Sequence, residues 1–260
     1  MMQNQDLIFL LDEAILDSKF KPIDFRKLQN MIGNLPVKTI IKTFWKENII
    51  VVLPEVVSCH IWLDGFFEKD LTKFILEHIK SDMVFIDIGA HIGYFSLLAA
   101  KLVGSNGYVY SFEPTKNTFQ ILQENCLNKK NIVLNNKAVF SKNGSIEIND
   151  YGTKWSAFNS IFEPRISKIL SKIKAQKINV EIITLDQYCK NKNIKPNFIK
   201  IDAEKSEFKI LIGAKKTIKK YHPIISCETD NENETKQLVD FMQNKNYTCD
   251  KIIDGNIIFM

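Results

Sequence analysis

The sequence predicts an α/β fold: a doubly wound sheet with a C-terminal antiparallel hairpin, preceded by an N-terminal helix and strand extension. Three observations predict it. From residue 83 onward, apolar runs of strand length alternate with longer helical patterns, as in repeated βα units. A glycine turn, Gly89 to Gly93, joins the first of these strands to its helix. The chain ends in two short apolar stretches, Tyr247–Ile252 and Asn256–Met260, that fit an antiparallel pair. A chain of 260 residues suits one large domain, or one domain with a modest appendage. We expect an extension over residues 1–80 and the main domain over 81–260.

The elements follow in order. Leu7, Leu11, Ala14 and Ile15 share one face of a short amphipathic helix. Pro22, Gly33 and Pro36 break the pattern after it. Ile49–Leu53 and Val56–Leu63 read as two strands of a hairpin around Pro54. Leu71, Phe74, Ile75 and Ile79 mark a helix leading into the core. Met83–Ile88 is a buried strand, and Ile92–Val103, almost uniformly apolar, a buried helix. After the turn Gly104–Gly107 come a strand at Tyr108–Phe112 and a helix at Thr115–Leu127. Ile132–Val139 reads as the third strand, with Ser145–Asn149 as a hairpin arm. Ile166, Ile169, Leu170 and Ile173 form an apolar stripe on a basic helix, opposed by Lys168, Lys172, Lys174 and Lys177. Val180–Leu185 and Asn197–Asp202 are strands, and Phe208, Leu211, Ile212 and Ile218 mark the helix after the second. Pro223–Glu228 is the fifth core strand. Leu238, Phe241 and Met242 mark the helix before the final pair.

Composition narrows the function classes. Hydrophobic residues make up 45% and charged residues 25%, which excludes wholesale disorder. The formal net charge of +5 permits an anionic partner without requiring one. No apolar run reaches the roughly 18–20 residues of a membrane span. The first residues lack the basic start of a signal peptide, and Asp6, Asp12 and Glu13 interrupt their apolar character. Five scattered cysteines, with no metal-binding spacing, point to a reducing cytoplasm and to no zinc site.

Three segments could carry chemistry. In the first, a strand ends at Asp87, glycines follow at Gly89 and Gly93, and a helix begins. The helix N-terminus offers N–H groups, and Gly89 would let a ligand approach the backbone. The loop is not the GxGxxG of nicotinamide enzymes, and an acid before the glycines would repel a pyrophosphate. It suits a ligand with a positive charge, such as an amino acid ammonium. In the second, Glu113 ends the next strand, where it can accept the two hydroxyls of a ribose or cap the following helix. In the third, Asp202, Glu204 and Glu207 follow a strand at the edge where α/β sheets bind ligands. Glu228, Asp230 and Asn231 follow the next strand and could join Asp202 around Mg²⁺, but a plain polar loop is the preferred reading and no metal is expected. His60, His78 and His222 read as structural.

The order of DIGAHIGYFSL (Asp87–Leu97), SFEP (Ser111–Pro114), NCLNKKNIVLNNKAV (Asn125–Val139) and IKIDAEKSE (Ile199–Glu207) resembles that of the FkbM-type S-adenosylmethionine-dependent methyltransferases. DGFFEKDLTKFI (Asp64–Ile75) and PIISCE (Pro223–Glu228) fit the same pattern, so the resemblance spans roughly residues 60–230. It implies a class I methyltransferase (Rossmann-like) fold, S-adenosylmethionine as cofactor, and methylation of a hydroxyl on a sugar, glycan or small natural product. By position it implies that Asp87, Gly89, His91 and Gly93 line the methionine and ribose end of the cofactor. Glu113 would hold the ribose, Asn136–Val139 with Ala138 would border the adenine, and Asp202 would lie beside the transferred methyl. Two departures stand out. His91 replaces the family's usual Asn, and Lys205 replaces the glycine of D-V-E-G-x-E, the residue that takes a tight backbone turn most easily.

A hydroxyl is a poor nucleophile unless a base takes its proton. Asp202, Glu204 and Glu207 are the expected catalytic residues, with His91 as a further candidate base. The basic stretch within Tyr151–Lys177 would cover the site and attract an anionic acceptor. A nucleic-acid methyltransferase is the weaker reading, because no Asn-Pro-Pro-Tyr-like tetrapeptide or Pro-Cys nucleophile is present. A non-catalytic S-adenosylmethionine-binding protein is the other alternative.

Overall fold

The computed structural model describes residues 4–17, 36–161 and 173–260. Helix α1 (Asn4–Asp17) buries Leu7 and Leu11, as the apolar spacing predicts. The hairpin differs from the expected one. Its strands are β1 (Val37–Lys42) and β2 (Asn48–Leu53), paired antiparallel, and Val56–Asp64 is helix α2. The cause is local: the Glu55 side chain accepts the N–H groups of Val57 and Ser58, which caps a helix at that point. Helix α3 (Lys69–His78) follows, with Asn4 donating to the carbonyls of Leu76 and Ile79 at its end.

The main sheet is built from β3 (Val84–Ile88), β4 (Tyr108–Phe112), β5 (Ile132–Asn135), β9 (Phe198–Ile201), β10 (Ile224–Glu228), β11 (Cys249–Ile253) and β12 (Asn256–Phe259). Its order is β11-β12-β10-β9-β3-β4-β5. The strands from β5 to β10 run parallel, and β12 joins antiparallel, with the terminal hairpin at the sheet's end. The chain leaves β3 towards β4 and β5, then returns to β9 on the other side. That reversal opens a crevice at the carboxyl ends of β3 and β9.

The expected third strand splits. Ile132–Asn135 stays in the main sheet, while β6 (Ala138–Val139) joins β7 (Gly144–Asp150) and β8 (Gln176–Ile183) in a second sheet of order β6-β8-β7. Ser145–Asn149 therefore pairs with β8 and not with the third strand. Leu185 opens a helix, α6 (Leu185–Lys192), instead of ending a strand, because Thr184 caps it. Of the predicted basic helix, residues 162–172 lie outside the described residues, and Lys177 is a strand residue paired with Glu147.

Helices α4 (Tyr94–Val103) and α3, with the N-terminal elements, cover one face of the sheet around Phe85, Val109 and Phe198. Helices α6, α7 (Glu207–Gly213), α8 (Lys215–Tyr221) and α9 (Glu232–Gln243) flank the other, around Ile86, Ile199 and Ile225. On the first face one level is polar. Cross-strand pairing sets Ser111, Asp87, Lys200 and Ser226 side by side, and all four are buried. The other main-strand helix, α5 (Lys116–Cys126), follows β4. Among the described residues no helix is long and apolar enough to cross a membrane.

Candidate functional site

A cleft of ≈ 400 Å³ lies at the reversal point. Gly89, His91, Glu113, Ala138, Asp202 and Glu204, all singled out in the sequence, line it. Asp87, Gly93 and Glu207 do not; each sits behind the lining.

Asp87 is 1% exposed. Its Oδ2 accepts the Ser96 hydroxyl at 2.6 Å, and the backbone of Ser96 also holds the carboxylate. Burial pushes its pKa up, against the pull of Lys200 and Ser96. Asp87 thus anchors the first turn of α4 to the sheet. Gly93 begins that helix at φ +96°, where a Cβ would meet Leu122 at 2.6 Å.

Gly89 has φ +78°, and a Cβ there would fall 1.7 Å from the Asp202 carbonyl oxygen. The end of the neighbouring strand thus crowds the glycine, which also lines the cleft. Four of the loop's N–H groups are committed within the protein. Gly89 and Ala90 donate to the Phe112 carbonyl, His91 to Glu113 Oε2 and Gly93 to the Ala90 carbonyl.

Glu113 joins two loops. Oε1 accepts the Thr115 N–H and hydroxyl at 3.0 and 2.6 Å, and Oε2 accepts the His91 N–H at 3.1 Å. Burial raises its pKa, with these bonds opposing. His91 adopts φ +49°. Its Nε2 meets the Ser156 hydroxyl at 2.8 Å, while Nδ1 is buried without a protein partner.

Across the cleft, the Asp202 side chain is 27% exposed and pairs through Oδ2 with Lys200 Nζ at 3.0 Å. Glu204 and Lys205 both take positive φ, +46° and +73°. The tight turn is thus kept although Lys205 stands in place of glycine. Glu207 is buried beneath it, with Oε1 accepting the Ala203 N–H at 2.9 Å. Glu228 reaches the cleft from β10, whereas the Asn231 side chain caps α9. Among the described residues no group of three or more His, Cys, Asp or Glu is placed to hold a metal ion.

Two contributors, Lys200 and His60, were not expected from the sequence, whereas the start of the Tyr151–Lys177 stretch does reach the cleft. Lys200 is 2% exposed and lines the cleft; the signal was a lysine inside an otherwise apolar strand. His60 lines it too, correcting its structural assignment, because Val56–Asp64 is a helix that carries it there. Burial lowers the His60 pKa, against Asp64 and Glu55. The short 3-10 helix Thr153–Phe158 brings Ser156 and Phe158 to the wall. His78 stacks on Phe74 and His222 on Tyr247, both as structural residues.

The charge balance is acidic. Glu68, Glu113, Asp202, Glu204 and Glu228 line the cleft, and its two lysines, Lys137 and Lys200, are each ion-paired. Ile88, Phe112, Ala138, Val139 and Ile148 add an apolar wall.

Comparison with known proteins agrees with this geometry. Residues 87–249 match the model of the methyltransferase FkbM domain. The hexuronic acid methyltransferase AglP of Haloferax volcanii is 25% identical over 150 residues, covering 56% of this chain and 56% of its own, so the chain spans little more than half the length of that relative. The methyltransferase FkbM from Methylobacillus flagellatus superposes with a TM-score of 0.50 at 17% identity, over 69% of this chain and 44% of that one. Aeropyrum pernix fibrillarin, solved with S-adenosyl-L-methionine, gives a TM-score of 0.44 at 8% identity, over 70% and 68%.

Proposed function

The chain belongs to the FkbM methyltransferase family, and from that membership we propose that it moves a methyl group from S-adenosylmethionine to a hydroxyl of a sugar, glycan or other small acceptor. The observation that carries the reading is one acidic cleft at the strand ends, with Glu113 on one side and Asp202 on the other.

The residues fit the cofactor. An acidic lining suits its sulfonium and ammonium charges. The buried, unpartnered His91 Nδ1 is a polar atom awaiting a ligand group. Glu113 would take the ribose hydroxyls, and Ala138, Val139 and Phe112 the adenine. When bound, S-adenosylmethionine supplies an electrophilic methyl group. The protein does the rest by placement. The Asp202 carboxylate receives the acceptor's hydroxyl proton as the oxygen attacks, and Glu204 orients the acceptor. Phe67, Phe95 and Phe158 keep water away from the reacting groups.

The relative that acts on hexuronic acid supports a sugar acceptor. The acidic lining with its paired lysines favours a neutral acceptor over an anionic one. The cysteines, all free and four of them buried, suit a cytoplasmic setting.

The test uses labelled S-adenosylmethionine with neutral and uronate-terminated oligosaccharides. Asp202→Asn should cut turnover by about 10²–10⁴ while cofactor affinity changes little. Normal turnover in that variant removes Asp202 as the base. Binding of cofactor without transfer to any saccharide favours the non-catalytic alternative.

A further inference from the structure

Among the described residues Lys200 is the only lysine buried in the core, and a buried ammonium is costly unless paired. Its surroundings come from four elements. Asp87 faces it in register from β3, Asp202 lies two residues along its own strand, and Glu68 acts on it from the start of α3. Its Nζ sits 4.8 Å over the Phe95 ring of α4. Burial alone would lower its pKa, but Asp202, Asp87 and Glu68 together raise it, so it stays charged. Buried ion pairs can often be replaced by apolar residues at no loss of stability, so stability is a poor reason to keep this one. The pairing atom decides its task. Lys200 makes its ion pair with the carboxylate that faces the cleft, at 3.0 Å.

We propose that Lys200 is a positioning residue, whose ammonium fixes the Asp202 carboxylate in its charged form and aims it along the cleft to receive the acceptor's proton. This rests on Asp202 being the base. Besides Lys200, Asp202 acts on Asp87 of β3 and on the Cys227 thiol of β10, which Glu207 and Glu228 also face. Each is acidic or neutral. Lys200 is the cation that meets the Asp202 carboxylate, at 3.0 Å.

The experiment compares the full chain with Lys200→Met, Lys200→Arg and the double variant Lys200→Met/Asp87→Asn. The first readout needs no acceptor or cofactor. The side-chain carboxyl ¹³C signal of Asp202, assigned by its loss in Asp202→Asn, is titrated by NMR. Its midpoint should rise by about 1–3 pH units in Lys200→Met, rise by less in the double variant, which also loses the like charge of Asp87, and stay near wild type in Lys200→Arg. The second readout is methyl transfer to the best saccharide acceptor. The acid limb of kcat should move with the NMR midpoint, and kcat should fall at least about tenfold with acceptor KM nearly unchanged. The double variant removes one buried charge of each sign, so it should fold if the single variant does not. Wild-type kcat in Lys200→Met, or in the double variant where the single one does not fold, would make Lys200 a mere counter-ion of Asp87 and overturn the proposal. Failure of both Met variants to fold would overturn it equally. If Asp202→Asn itself turns over normally, the base assignment has failed instead.

Discussion

Strands β3 and β9 lie side by side, run in the same direction and each present an aspartate near their ends, yet the two ends are built differently. Asp87 is buried, and the turn after it uses glycine at φ +78°. Asp202 reaches the cleft, and its turn uses Glu204 and Lys205 at positive φ with no glycine at all. The difference teaches what the glycine is for. At residue 89 two backbones collide if a Cβ is added, and no side chain can relax a contact of 1.7 Å with a carbonyl oxygen. At residue 205 only the left-handed conformation is needed, which a non-glycine residue can adopt at a cost.

Three variants break or sharpen this contrast. Gly89→Ala should have the largest effect, a loss of about 2–4 kcal/mol from positive φ and overpacking together. Chemical denaturation measures it, and a stability within experimental error of wild type would mean that β9 does not press on this loop. Glu113→Gln tests how the first loop is held. Burial raises the Glu113 pKa above its unfolded value, so its contribution to stability is full below the unfolded pKa and is lost as pH rises through the folded one. Thermal melts from pH 4 to 7 should show the variant gaining on wild type as pH rises; the opposite trend would mean that the Thr115 and His91 bonds outweigh burial. Lys205→Gly should have the smallest effect, a gain of about 0.5–1 kcal/mol. The left-handed cost of about 1–2 kcal/mol disappears, while glycine's extra unfolded freedom returns part of it. A loss of stability would show the Lys205 side chain holding the turn by contacts of its own.

The parallel core was legible because its strands are continuous apolar runs bounded by glycine and acidic turns. Tyr108–Phe112 matches the structure residue for residue. The carboxyl-edge acids were legible for the same reason, since a strand's end is where its polar residues start. Val56–Asp64 was not legible as a helix, because its β-branched and aromatic residues mimic a strand. The deciding signal was a single capping acid, Glu55, just after Pro54. The strand running from Ile132 split because two residues, Asn136 and Lys137, carry the chain between sheets. Asn136 donates to the carbonyls of Glu113 and Pro114, a contact made only in three dimensions. Within the site, periodicity treats Asp87 and Asp202 alike. Only the folded contacts show that one bonds Ser96 of the helix and the other lines the cleft.

The second sheet has a consequence of a different kind. Ala138, Val139 and Ile148 line the cleft from β6 and β7, and Asn149 and Ser160 exchange backbone hydrogen bonds that tie the 3-10 segment to the same sheet. One wall of the cleft is therefore a cassette, closed on itself by main-chain bonds. It meets the core of β3 and β9 through Val139. On the proposed function, Ile148 and the 3-10 segment are the part of this wall that can change with the acceptor, while Ala138 and Val139 stay with the adenine and the core that carries Asp87, Lys200 and Asp202 stays fixed.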